Sequence, residues 1–401
     1  MTKIGKMPYL NSEIFYLKKE SELEYINLTP SEMGKSIIKG EIDAGPISLV
    51  DFINSKSLKS SSMNTSIMSM IFSRIKSAPA EALLILTALV TLVYSLNFMF
   101  AADCYVTGGD GCFTLLSNNT TSSDGAWGKG APEFAFNGIL MFGVLMSTLL
   151  ILNEGAKGKW TVMLPVLIGF IVGTIVLWTM WEDNGSSEVP KFVTPIITLV
   201  YGAAYYMLMA EDEVNDGLSD FKVGLGVKDP VAIIGLLFVI ATGLFYVVRQ
   251  IINPESVVDA VTAGALEDGL GAPSKVTVAF SGALLLTYVL WASILLMKGA
   301  KGMWPVAHPP LFAFLAVTVA NYFAFVFGPI REFTEQNQMD ALAGPMTMLV
   351  FLLVYFRLRS EGIEDDMTVN GEPADANTFD TMFSVVTIVI CALYFAVNML
   401  G

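Results

Sequence analysis

The sequence predicts a mainly α, polytopic membrane protein, with about nine transmembrane helices arranged as two parallel four-helix repeats plus one, behind a short α/β segment. Three observations carry that expectation. Of 401 residues, 54% are hydrophobic and only 15% charged, with a mean hydropathy of +0.60, far from the balance of a soluble domain. Nine stretches are long and apolar enough to cross a bilayer, since a span needs about 20 mostly apolar residues for roughly 30 Å of hydrocarbon. Finally, Gly155-Ala156-Lys157-Gly158-Lys159-Trp160 returns 144 residues later as Gly299-Ala300-Lys301-Gly302-Met303-Trp304, and self-similarity at a constant offset marks duplication.

The first element is not membrane-like. Residues 1–62 hold 8 Lys and 8 Asp or Glu, so the whole net charge of −14 belongs to residues 63–401. Lys3–Met7 and Leu23–Leu28 read as short strands. Thr29-Pro30-Ser31-Glu32 is a capping box with proline at the first helical position, Gly40 closes that helix, and Ile42–Ser48 reads as a third strand. No apolar run of signal-peptide type precedes the first span. Lys6-Met7-Pro8-Tyr9-Leu10-Asn11-Ser12, Pro30-Ser31-Glu32 and Gly40-Glu41-Ile42-Asp43-Ala44-Gly45-Pro46-Ile47-Ser48 occur in that order. On these motifs residues 1–55 resemble the start of chorismate dehydratase, an enzyme of the futalosine route to menaquinone on a two-lobed, periplasmic-binding-protein-like fold. The resemblance implies that Asn11 lines a substrate cleft, and that this segment is a truncated α/β fragment lacking the rest of the first lobe and all of the second. About 60 residues form at best a marginal core.

A linker over 63–78 leads to the spans. The first repeat, 79–222, carries spans near 79–103, 134–153, 160–181 and 191–210. The second, 223–378, carries spans near 229–250, 277–297, 307–328 and 341–358. A terminal helix occupies 379–400, within a segment 379–401. Val162, Pro165, Leu167, Phe170 and Thr174 recur in register as Val306, Pro309, Leu311, Phe314 and Thr318. Thr194-Pro195 and Gly344-Pro345 open the fourth helix of each copy, and each fourth helix runs into an acidic loop, at Glu211-Asp212-Glu213 and around Glu361–Asp366. Because four is even, both copies enter the membrane the same way up, which makes the repeats parallel. Lys and Arg near the span ends number ten on the side of the GAKG turns and five on the other. By the excess of retained positive charge, the protein is a multi-pass cell-membrane protein with a cytoplasmic N-terminus and an outer C-terminus.

Candidate sites are few. Cys104 and Cys112 flank a glycine-rich stretch of the first outer loop and suit a disulfide on an oxidising face, two free thiols being the alternative. Cys391 lies inside the last span as a packing residue. No ionisable group falls near a span centre, which disfavours a proton-coupled pump or voltage sensor. The lone His308 has Leu164 at its position in the other copy and no second ligand at metal spacing, so neither metal nor other cofactor is expected. The polar residues inside the spans are neutral. Asn137, Thr174, Thr318 and Asn321 either bond across helices or line a polar pathway between the copies. An acidic chain with a pI near 4.5 and no basic stripe excludes nucleic acid as a partner, leaving lipid bilayer and membrane-complex subunits. The leading expectation is a transporter-like or channel-like protein for a neutral solute. A structural subunit of a membrane complex is the alternative, and chorismate dehydratase activity through the N-terminal segment is the second.

Overall fold

The computed structural model describes residues 2–6, 23–29, 36, 74–100, 131–181, 189–263, 274–322, 338–375 and 377–399. The chain divides into two compact units, Met1–Ile71 and Phe72–Gly401. In the first, β1 (Thr2–Lys6) and β2 (Leu23–Asn27) pair in parallel, with Thr2 opposite Leu23 and Lys6 opposite Asn27. Both strands sit within a residue of their predicted bounds. The expected third strand and Asn11 lie outside the described residues.

The second unit is a helical bundle. Its helices are α1 (Ala78–Phe100), α2 (Ala131–Glu154), α3 (Trp160–Met180), α4 (Val189–Glu211), α5 (Pro230–Ile252), a short α6 (Pro254–Ala263), α7 (Lys275–Lys298), α8 (Trp304–Tyr322), α9 (Gln338–Leu358) and α10 (Asn377–Met399). Among the described residues, eight of them are long and apolar enough to cross a membrane. The 23 residues of α1, for example, rise about 35 Å.

Helix α8, described over Trp304–Tyr322, is not among those eight, and the span read over 307–328 continues beyond the described residues. Pro305, His308, Pro309 and Pro310 lower its apolarity, and most of its side chains are buried against protein. Protein contacts, not lipid, set what that helix has to be made of. The peripheral helices show the opposite pattern, with Leu199 of α4, Ile234 of α5 and Ile388 of α10 turned outward.

Helix pairing follows one scheme twice. Helix α1 packs on α2 and α4, and α3 packs on α4; likewise α5 packs on α7 and α9, and α8 packs on α9. Between these groups α7 lies against α3, α8 against α2, and α2 against α7, while α10 covers α8. Two of these contacts exchange residue sizes. On α3, Gly169 leaves room for Thr287 of α7 and brings the Ala283 carbonyl within 3.2 Å of where a Cβ would stand. On α2, Gly143 makes the same kind of room for Ala313 of α8. The register equates Gly169 with Ala313 and Gly143 with Thr287. The glycine therefore changes helix while the close approach is kept.

The turns at one end of the bundle match bond for bond. Gly158 and Gly302 take φ of 67° and 66°, a region in which a side chain is strained. The Gly158 N–H donates to the Glu213 carbonyl (3.1 Å) and the Trp160 N–H to Val214 (3.0 Å). Gly302 and Trp304 donate in the same way to Gly362 (2.8 Å) and Ile363 (3.0 Å). An acidic residue after the fourth helix then caps the first: Asp212 accepts from the backbone of Lys76 (2.8 Å) and Ser77 (3.1 Å), and Glu361 from Lys228 (3.0 Å) and Asp229 (2.5 Å). Such caps satisfy helix-start N–H groups that have no intrahelical acceptor. Asp212→Ala is expected to lower stability by about 1 kcal/mol, read as a shift in the SDS unfolding midpoint. A wild-type midpoint for Asp212→Ala would show that water serves those N–H groups equally well.

Candidate functional site

The same end of the bundle holds a cavity of about 350 Å³ between α2, α8, α10 and the hairpin of β3 (Thr368–Val369) and β4 (Glu372–Pro373). Its wall is apolar, formed by Met146, Leu149 and Leu150 of α2, Phe312 of α8 and Met382 of α10. Its edge is polar: Asn153 donates to Glu154 Oε1 (2.6 Å), and the Thr368 hydroxyl donates to the other Glu154 oxygen. The hairpin is held by Arg74, whose guanidinium donates to the Asn370 carbonyl.

His308 also lines this cavity and is only 4% exposed. Its ring stacks on Phe379 of α10 with centroids 4.2 Å apart. Nε2 lies 2.8 Å from the Tyr355 hydroxyl of α9, and that hydroxyl donates to Glu364 Oε1 at 2.7 Å. Arg359 donates from Nε to the same oxygen (2.8 Å) and from Nη2 to Asp380 Oδ1 of α10 (2.7 Å). Its guanidinium also lies 4.6 Å from the centre of the Phe356 ring. A continuous polar chain thus runs from the cavity wall to the turn-end surface.

The first half holds only a remnant of it. The Tyr205 hydroxyl donates to Asn215, where the second half has Tyr355 and Glu364. Leu164 stands in place of His308 and Met209 in place of Arg359, and nothing corresponds to α10. The equivalent face is left partly open, with Ile168 exposed.

Two lysines brace this end across the halves. Lys159 Nζ lies 6.0 Å from the Trp304 ring centre, and Lys298 Nζ lies 5.4 Å from that of Trp160. Burial pushes the Lys159 ammonium below its usual range, Glu154 opposing and Lys298 adding to the effect. Lys157 instead reaches out to Glu213 at 2.6 Å, an exposed pair of small energetic weight. At the start of α5 the Asp229 carboxyl is held below the usual range by the Ala232 N–H and by Arg357.

Three of the four neutral residues expected to mark a pathway, Asn137, Thr174 and Thr318, bond within or between neighbouring helices. Asn137 donates to the Thr277 carbonyl (3.2 Å) and accepts from Ser281 (3.0 Å), joining α2 to α7. Thr174 and Thr198 bond each other (3.0 Å) between α3 and α4. Thr318 donates to the Phe314 carbonyl in its own helix, and Asn321 lies beside Gly344 of α9. None of the four lines the cavity. Cys104 and Cys112 lie outside the described residues, and Cys391 is a free thiol. Among the described residues no group of three His, Cys, Asp or Glu is placed to hold a metal.

No family model, curated protein or solved structure matches this chain. Its chemistry has to be read from its own residues, and those that differ between the halves, His308, Arg359 and Glu364, belong to one polar chain that meets the cavity at His308.

Proposed function

We propose that the protein is a membrane carrier or binding protein for a small, neutral, mostly apolar solute. In this reading it is built from two parallel four-helix copies, α1–α4 and α5, α7, α8 and α9, with α10 added. The duplication is supported by the twice-used pairing scheme and by the matching turn and cap bonds. One observation carries the function: a cavity and a polar chain that reaches it at His308 lie together where α10 and the hairpin pack on the second copy. A carrier is favoured over an open channel because Tyr288, donating to the Leu140 carbonyl at 2.7 Å, fills the contact between α2 and α7. A volume near the small end of ligand cavities (roughly 300–1,000 Å³) and an apolar wall favour a compact uncharged molecule.

The test is titration of purified protein in nanodiscs with small aromatic solutes, followed by tryptophan fluorescence, since Trp304 lines the cavity. Saturable quenching that is lost in Trp304→Phe and Met382→Trp is expected, the latter because it fills the chamber. Quenching that stays linear in solute and is the same in Met382→Trp would mean partition into lipid and no site.

For the N-terminal unit, the parallel β1–β2 pairing favours an α/β fragment of the kind the chorismate dehydratase resemblance implies. Loss of chorismate turnover on truncation to Met63 would assign the activity to it. No turnover by the full chain would remove that reading.

A further inference from the structure

We infer that the polar chain holds His308 as the neutral tautomer protonated on Nε2, so that Nδ1 is presented to the cavity as a hydrogen-bond acceptor and the favoured ligand carries a hydroxyl or N–H donor. The inference deepens the ligand-chamber reading above and rests on it for its ligand half.

Proton counting fixes the tautomer. A tyrosine hydroxyl has one proton to give and two lone pairs to receive. Glu364 Oε1 takes the Arg359 Nε–H at 2.8 Å and faces the Tyr355 oxygen at 2.7 Å. A carboxylate beside a guanidinium only accepts, so the Tyr355 proton points to Glu364. The same hydroxyl then meets His308 Nε2, 2.8 Å away, with nothing but a lone pair, and Nε2 must carry the hydrogen. A second proton on the ring would place an unpaired positive charge in a side chain 4% exposed, with the Arg359 guanidinium at the far end of the chain, which is costly. Nδ1 is therefore bare, and among the described residues no hydrogen bond reaches it. The apolar part of the cavity wall, Met146, Leu149, Leu150 and Phe312, suits an apolar body, while Asn153, Glu154 and Thr368 at the edge are bonded to one another. In the first copy, Leu164 at the histidine's position removes the acceptor altogether.

His308 is the chain's single histidine, so protein labelled with 15N-histidine reports on this ring alone. Nitrogen NMR of the full chain in nanodiscs is expected to show a protonated Nε2 and a bare, pyridine-type Nδ1, the two exchanging character in part in Tyr355→Phe. Benzyl alcohol, benzaldehyde and toluene then serve as matched probes that differ in donor content. The alcohol is expected to bind about five- to tenfold more tightly than the aldehyde, the worth of one hydrogen bond, and to shift the Nδ1 resonance. His308→Leu should abolish that preference while leaving toluene binding intact. A protonated Nδ1 in the wild type, or equal affinity for alcohol and aldehyde, would overturn the inference. Failure of all three probes to bind would overturn the chamber and the ligand half together, while the nitrogen spectrum still decides the tautomer.

Discussion

Trp291→Ala is expected to be among the most damaging single truncations in the bundle, costing about 3 kcal/mol against SDS or heat. Trp291 is fully buried on the α7 face that meets α3, and its indole N–H donates to the Val162 carbonyl at 3.1 Å. Large aromatic truncations cost roughly 3–5 kcal/mol in soluble cores. In a bilayer the solvent-transfer part of that figure shrinks, because lipid tails are as apolar as the interior. What remains is the lost packing of the largest fully buried side chain, together with a carbonyl that loses its donor at about 1–3 kcal/mol. That carbonyl lies in the first turn of α3 beside Thr161, whose own carbonyl would have bonded the N–H that Pro165 lacks. Equilibrium unfolding of Trp291→Ala and Trp291→Phe should separate the terms, with Phe recovering most of the packing and none of the hydrogen bond. Equal loss in both variants would mean that the hydrogen bond dominates.

Gly143→Ala is expected to cost about 2–3 kcal/mol by overfilling the contact between α2 and α7. A methyl there falls inside the Tyr288 hydroxyl, 2.8 Å from the ring carbon that bears it and 3.1 Å from the Ala313 Cβ. Tyr288 is buried and bonded to the Leu140 carbonyl, so it cannot yield without giving up that bond. Overpacking of this kind costs roughly 1–3 kcal/mol, and the displaced hydrogen bond adds about 1. The double variant Gly143→Ala/Tyr288→Phe removes the worst overlap and should be less destabilised relative to Tyr288→Phe than Gly143→Ala is relative to wild type. Simple additivity in that cycle would show that the two residues do not compete for space.

Much of this architecture was legible from apolar run length alone. The helix bounds agree with the sequence reading to within a few residues at most ends, because a bilayer demands continuous apolar surface and the demand stops at the turns. The exceptions have local causes. Short α6, Pro254–Ala263, carries Glu255 and Asp259 and gives no spanning signal. The hairpin Thr368–Pro373 is two residues deep on each strand and has no alternation to read.

The site was harder to see. His308 drew attention only as a histidine without a metal partner. Its real partner, Tyr355, is 47 residues on and on another helix, beyond any local spacing rule. One signal was nevertheless present: in the repeat register, Leu164, Met209 and Asn215 become His308, Arg359 and Glu364. Positions at which two copies of one fold part company in polarity point to where one copy has been put to use. The neutral residues Asn137 and Thr174 gave the opposite outcome, since inward polarity there is taken up by bonds between neighbouring helices.

The proposed architecture has two copies that stand the same way up, which would bring both GAKG turns to one face. Lys157 and Lys301 are exposed in those turns, and Glu255, also exposed, belongs to α6 beyond the far end of α5. The direct measurement is single-cysteine labelling at each of the three positions, with Cys104, Cys112 and Cys391 replaced, in sealed vesicles of known orientation with an impermeant maleimide. Labelling of positions 157 and 301 from one side and of 255 only from the other is the predicted result. Labelling of 157 and 301 from opposite sides would rule out parallel copies.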